Sequence, residues 1–120
     1  MNTVPGYNWY AFDKGKSIGK CGSENGVIIR DEENSAGARI TLERIEKQGN
    51  SFIAITVGIY GWMVHTCYLG RELGAQEVFD TMKLDIVKIL DIVLEWTDGD
   101  DERYHLAVEA FRNFVNKYPI

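Results

Sequence analysis

One stretch, residues 51–70, constrains the fold of this chain more than any other. It reads SFIAITVGIYGWMVHTCYLG and is rich in the β-branched and aromatic residues that suit a pleated, half-buried surface. As a single strand it would span roughly 60 Å, too long for a small domain. We therefore expect a hairpin that folds near Tyr60 and Gly61. In its first half, alternate aliphatic residues share one strand face: Ile53, Ile55, Val57 and Ile59.

The segments that precede this hairpin predict an antiparallel meander. Residues 26–31 and 38–45 read as strands, and the sequence NSAG between them is a dense turn signal. Residues 7–12, YNWYAF, predict a short edge strand, and the glycine-rich residues 13–26 predict a loop. In residues 38–45 one face is expected to be dry (Ala38, Ile40, Leu42) and the other wet (Arg39, Thr41, Glu43).

Beyond Glu72 the apolar residues recur at three- and four-residue spacing through Trp96, which predicts a helix. Its apolar stripe is broad enough that we expect burial against the sheet and against a second helix or another subunit. Gly99 is expected to end this helix, and the neighbouring aspartates to cap a second one running from about Asp101 to Lys117. The fold class predicted is α+β: a single domain, residues 1–120, in which an N-terminal antiparallel β-meander of four to five strands is covered on one face by two C-terminal antiparallel helices.

The charge is concentrated in one part of the chain. The net charge is −5, and residues 71–103 hold ten acidic and four basic residues, so this segment contributes −6 and the remainder +1. An acidic helical surface repels phosphate backbones, which predicts no nucleic-acid partner. The same surface could receive a basic protein, as an immunity protein does, or it could simply keep the helices solvated.

The sequence also predicts where the protein resides. The N-terminus has neither a basic start nor an apolar run, and no stretch reaches the 18 or more uncharged apolar residues that a membrane span needs. Two cysteines 46 positions apart suggest free thiols rather than a disulfide framework. We expect a cytoplasmic protein without a membrane partner.

His65 and Cys67 are the candidates for catalysis. They lie two apart on a predicted strand and so point to one face, which we expect to face away from Ile55 and Val57. Such a pair can form an activated thiolate, although a polar patch on a half-buried sheet is the simpler alternative. Two ligands are too few for a structural zinc site, so we expect no metal and no cofactor.

Carboxylates at Asp31, Glu32 and Glu33 stand opposite Arg39 and Arg44 across a predicted hairpin. Paired carboxylates can serve acid–base catalysis when their environments differ. So polar a turn is expected to be exposed, where its ion pairs contribute little.

Aromatic side chains accumulate in the sheet half of the chain. Because two helices cover only one face, the second face needs solvent-tolerant side chains or a partner. We expect Thr56, Gly58, Met63, His65 and Cys67 on that face. The candidates for binding a partner or ligand are Tyr60, Trp62, Met63, His65, Trp9 and Tyr10.

Three functional hypotheses follow. The first is a small non-catalytic protein-interaction module that forms a homodimer. The second is a small-ligand carrier with a pocket between sheet and helices, lined by Tyr60, Trp62, Met63 and Met82. The third is a thiol enzyme that uses Cys67 and His65. The sequence contains no complete catalytic motif, so the first hypothesis is preferred.

Overall fold

The computed structural model describes residues 8–120. Its five strands are β1 (Trp9–Ala11), β2 (Val27–Asn34), β3 (Ala38–Lys47), β4 (Asn50–Ile59) and β5 (Met63–Leu69). They form one antiparallel sheet in the order β1-β2-β3-β4-β5, followed by the helices α1 (Ala75–Leu94) and α2 (Asp101–Lys117). The predicted α+β fold is confirmed. Tyr7, which was included in the first predicted strand, lies outside the described residues.

The hairpin at Tyr60 and Gly61 is confirmed. The turn occupies residues 60–62, and the N–H of Trp62 donates to the carbonyl of Ile59 at 2.9 Å. Gly61 has φ +81°, a left-handed conformation that costs glycine little and other residues more.

The hydrophobic core lies between the sheet and the helices. Alternate residues of β3 and β4 are fully buried there, and Val57 on the sheet and Ile89 on α1 belong to the same cluster, as their spacing predicted. The helices supply Phe79, Met82, Ile86, Ile89 and Leu90 from α1 with Phe114 from α2. The core thus consists of the strand residues that alternate at period two and the helix residues that recur at three- and four-residue spacing.

The predicted helix boundaries need one correction. The helix α1 ends at Leu94, so Gly99 is not its cap but part of the connection to α2. Asp100 does cap α2, because its side chain accepts the backbone N–H of Arg103 at 3.0 Å. Trp96 lies beyond α1 and packs edge-on against Trp62.

The expected wet face of β3 is largely buried, because residues 13–26 fold back over the β2–β3 half of the sheet. The carboxylate of Glu43 is fully buried and accepts the backbone N–H groups of Gly26 at 3.0 Å and Glu24 at 3.2 Å. Gly22 lies so close that a Cβ there would stand 2.3 Å from the Glu43 carboxyl carbon. A buried carboxylate satisfied by backbone donors therefore anchors this loop.

The carboxylates of the second strand also differ from expectation. The strand β2 continues to Asn34, and Asp31 is buried rather than exposed in a turn. Arg39 donates two hydrogen bonds to it, at 2.9 and 2.7 Å, and this bidentate pairing raises the pKa of Arg39. Arg44 pairs instead with Glu72 at 3.0 Å. The Asp31–Arg39 pairing therefore holds β2 to β3, whereas the exposed Arg44–Glu72 pair contributes little.

Candidate functional site

His65 and Cys67 face the helices, so the prediction that they face away from Ile55 and Val57 is wrong. In the β4–β5 ladder His65 lies opposite Val57 and Cys67 opposite Ile55, and directly opposed residues share a face. The physical reason is the turn, which takes three residues where two would have given the expected register. A shift of one residue moves every side chain of the strand to the other face.

In that position the pair is structural. Nε2 of His65 lies 2.5 Å from the carbonyl oxygen of Tyr118, and because a carbonyl only accepts, the ring nitrogen donates. This bond ties β5 to the end of α2. Cys67 is buried, and that burial raises the pKa of its thiol, which favours the protonated and less reactive form. The geometry therefore opposes an activated thiolate.

The face of the sheet away from the helices is only half covered. Its β4–β5 half, which we call the open face, comprises Thr56, Gly58, Val64, Thr66 and Tyr68. Val64 is 79% exposed, and the hydroxyls of Thr56 and Thr66 lie 3.1 Å apart in a cross-strand hydrogen bond. None of the five residues is charged, but the hydroxyl of Tyr68 donates to the carboxylate of Glu24 in the loop, and Ala54 beside it is buried.

A groove of about 840 Å³ lies on this face, between residues 21–23 of the loop and the β4–β5 hairpin. We call it the sheet groove. Thr41, Thr56 and Gly58 contribute to its floor, and at Gly58 no atom lies within 4 Å of the position a Cβ would take. The missing side chain keeps the floor open. The volume of the sheet groove is within the range of about 300–1,000 Å³ that is typical of ligand pockets.

Charged groups at the rim of the sheet groove are already paired. Arg39, opposite Gly58 in the β3–β4 ladder, stacks its guanidinium 3.5 Å over the ring of Phe12 while it binds Asp31. The hydroxyl of Tyr60 donates to Glu33 at 2.7 Å. Burial, together with this carboxylate, raises the pKa of Tyr60 to about 12, so the hydroxyl stays neutral. The rim therefore offers fixed polar groups, and the Arg39 guanidinium there is already paired with Asp31.

The structure separates the residues that the sequence proposed as a binding surface. Tyr60, Trp62 and Met63 do line the sheet groove. Tyr10 lies on the same side of the sheet, where its hydroxyl donates to Glu33 at 3.2 Å. Trp9 and His65 belong to the helix-covered face; Trp9 contacts Lys83, whose Nζ lies 5.5 Å from its ring.

The sequence suggested a carrier pocket between the sheet and the helices. The side chain of Met82, which is fully buried in the core, occupies that space. Trp62 packs against Tyr104 and Phe111 of α2 with ring centroids 6.2 and 5.6 Å apart. The sheet groove is on the other side of the sheet. It differs in place from the pocket that the sequence suggested.

Sequence reasoning missed the half of the groove that comes from the loop and from β3. Cys21, Ser23, Arg39 and Thr41 all line it, yet residues 13–26 read only as loop. The glycines at both ends of the short segment 22–26 were the available signal, because glycine in a loop allows close backbone approach.

Two further findings concern metal binding and membrane insertion. Among residues 8–120, no three His, Cys, Asp or Glu side chains are grouped so that they could hold a metal ion. Over the same range, neither helix has both the length and the apolar character required to cross a bilayer.

Comparisons with known proteins add no assignment. No protein-family model matches the chain, and neither the curated proteins nor the solved structures that were searched provide a match.

Proposed function

We propose that this chain is a small, cytoplasmic, non-catalytic protein-interaction module that forms a homodimer through its open face. The observation that carries the proposal is the open face itself: its five residues are uncharged, and Val64 and Tyr68 on it are 79% and 40% exposed. On a small protein with 18 acidic and 13 basic residues, an uncharged patch of this kind is typical of a surface that meets a partner.

The side chains around the open face support this assignment. Val64, at the hairpin end of the open face, is 79% exposed, and Tyr60 stands at the rim. Aromatic residues in such positions are common anchors of interfaces. A two-fold interface would place the same patch of each copy against the other, so that two exposed Val64 side chains leave water together.

Light scattering at micromolar concentration tests the homodimer. We expect twice the 13.6 kDa mass of one chain. Val64→Lys places a charge on the open face and is expected to yield the monomer, whereas Leu84→Lys is the matched control on the outer side of α1, at a residue 67% exposed. A wild-type protein that stays at 13.6 kDa would overturn the homodimer. Loss of the dimer in Leu84→Lys alone would move the interface to α1.

A basic partner on the acidic helical surface has weaker support. Several helical carboxylates are already neutralised within the chain: Asp80 by Arg30 at 3.1 Å, Asp85 by Lys117 at 2.9 Å, and Glu95 by Arg103 at 2.7 Å. A partner would have to compete with these internal pairs or rely on the remaining carboxylates.

The sheet groove favours a second candidate function, a carrier of a small uncharged ligand. Binding of the fluorescent probe 8-anilinonaphthalene-1-sulfonate would report on it. Gly58→Val fills the floor, and because valine suits a strand and meets no atom there, the fold should tolerate it. Probe binding that is lost in Gly58→Val but kept in Leu84→Lys, which lies outside the groove, would favour the carrier; probe binding unaffected by Gly58→Val would exclude the groove.

A further inference from the structure

The strand β5 has an unprotected outer edge. It is the last strand of the sheet, and over residues 8–120 its outer backbone groups have no hydrogen-bond partner. Proteins usually block such edges with lysine, proline, a bulge or an inward-pointing charge. The sequence MVHTCYL contains no proline and no acidic or basic residue apart from His65, which is bound to Tyr118, and its ladder with β4 has no bulge.

The backbone groups that face outward can be assigned. The N–H of Tyr60 donates to the carbonyl of Gly37, so Tyr60 uses its backbone on the β3 side. Because hydrogen-bonded and non-hydrogen-bonded pairs alternate along antiparallel ladders, Ile59, Val57 and Ile55 bond on the β5 side. Their partners in β5 are the odd-numbered residues. The N–H and C=O groups of Val64, Thr66 and Tyr68 therefore point to the open edge.

The helix α2 runs beside this edge. Its end lies above β5, since Tyr118 accepts the hydrogen bond of His65 and the Phe114 ring is 6.3 Å from the His65 ring. The side of α2 that faces α1 is marked by the ion pair of Lys117 with Asp85. At 100° per residue, the opposite flank of α2 carries Tyr104, Val108 and Val115. Tyr104 is 47% and Val115 37% exposed and Val108 is half-buried, so the apolar side chains of this flank are only partly covered.

We propose that the outer edge of β5 and this flank of α2 together bind an extended segment of a partner protein, which adds to the sheet as a sixth strand. Its main chain would pair with Val64, Thr66 and Tyr68. Alternate side chains would contact Val108 and Val115 on the helix side, and the others would lie beside the open face. The occupant is therefore an uncharged segment with β-branched or aromatic residues at alternate positions. The proposal names a partner class for the interaction module and rests on its binding role, but not on the homodimer.

A second copy of this chain does not fit the same edge. Antiparallel pairing of two β5 strands would place both α2 helices on one side of the joined sheet. Neighbouring strands are about 4.8 Å apart, whereas packed helices need about 8–10 Å between their axes. Because α2 stands above β5, the two helices would overlap. A single extended strand avoids this clash.

Selection of displayed random nine-residue peptides on the wild-type protein provides the probe. We expect the selected peptides to alternate apolar residues and to bind with micromolar dissociation constants in fluorescence anisotropy. Each peptide is then N-methylated at one of its two alternate sets of amides. One set faces the protein and its methylation should weaken binding about tenfold or more, while methylation of the other set should change it less than about twofold.

Variants of the protein locate the site. Thr66→Pro removes an outward N–H, whereas Thr66→Val keeps it and loses the same hydroxyl bond to Thr56. We expect peptide binding to be about tenfold weaker for Thr66→Pro and the peptide dissociation constant to be unchanged for Thr66→Val. Val108→Lys leaves β5 intact and should also weaken binding about tenfold.

Two results would overturn the inference. One is that no peptide is enriched. The other is that the dissociation constants of the enriched peptides change neither on methylation of either set of amides nor in Val108→Lys. Light scattering on the same samples keeps this failure distinct from failure of the homodimer, because a monomer that binds the peptides overturns only the latter.

Discussion

Replacing the buried carboxylate of Glu43 tests how the loop over the sheet is held. In Glu43→Ala the backbone N–H groups of Gly26 and Glu24 lose their acceptor, and Ser23 loses a longer contact at 3.5 Å. Hydrogen bonds to a charged group contribute about 1.5–3 kcal/mol each, and the desolvation of the carboxylate offsets part of that sum. We expect the free energy of unfolding to fall by about 2–4 kcal/mol.

Urea denaturation followed by tryptophan fluorescence measures this loss. Glu43→Gln keeps one acceptor oxygen and should lie between the wild type and Glu43→Ala. Glu46→Ala removes an exposed carboxylate from the same strand and should change the free energy of unfolding by less than about 0.5 kcal/mol. If Glu43→Ala and Glu46→Ala unfold at the same urea concentration, the buried carboxylate does not anchor the loop and the reasoning is refuted.

Three further predictions test the core, the thiols and the charge. Ile89→Ala should lower the free energy of unfolding by roughly 2–5 kcal/mol and Lys88→Ala by well under 1 kcal/mol; equal urea midpoints would mean that the assigned core is wrong. Cys67 should react with iodoacetamide at pH 6.5 no faster than the exposed Cys21, because its raised pKa leaves less thiolate; fast labelling of Cys67 that disappears in His65→Ala would restore the thiol-enzyme hypothesis. DNA and RNA should not bind at physiological salt, and a salt-sensitive anisotropy change would contradict this.

The elements of the fold could be predicted because their signals are local. The alternation of Ile53, Ile55 and Val57 and the three- and four-residue spacing around Ile86 and Ile89 depend only on which side of a strand or helix is dry. Both patterns correctly identified residues of the common core.

The faces of β5 could not be predicted in this way. Whether His65 points toward or away from the helices depends on one residue of turn length, and Tyr60-Gly61-Trp62 has no strong two-residue turn signal that would fix it. The burial of Asp31 and Glu43 is equally non-local. A polar alternation predicts a solvated face, but a loop from elsewhere in the chain covers that face and supplies the donors. The position of the loop, and with it the sheet groove, is a tertiary property.

The most direct test of the interaction-module account is a dilution series of ¹H–¹⁵N correlation spectra of the wild-type protein. If two copies meet through the open face, the largest concentration-dependent shifts should cluster at Thr56, Gly58, Val64 and Thr66, and the outer side of α1 around Leu84 should be unaffected. Spectra that stay unchanged over dilutions in which the mass falls from that of the dimer to that of the monomer, or shifts that cluster around Leu84, would contradict the account.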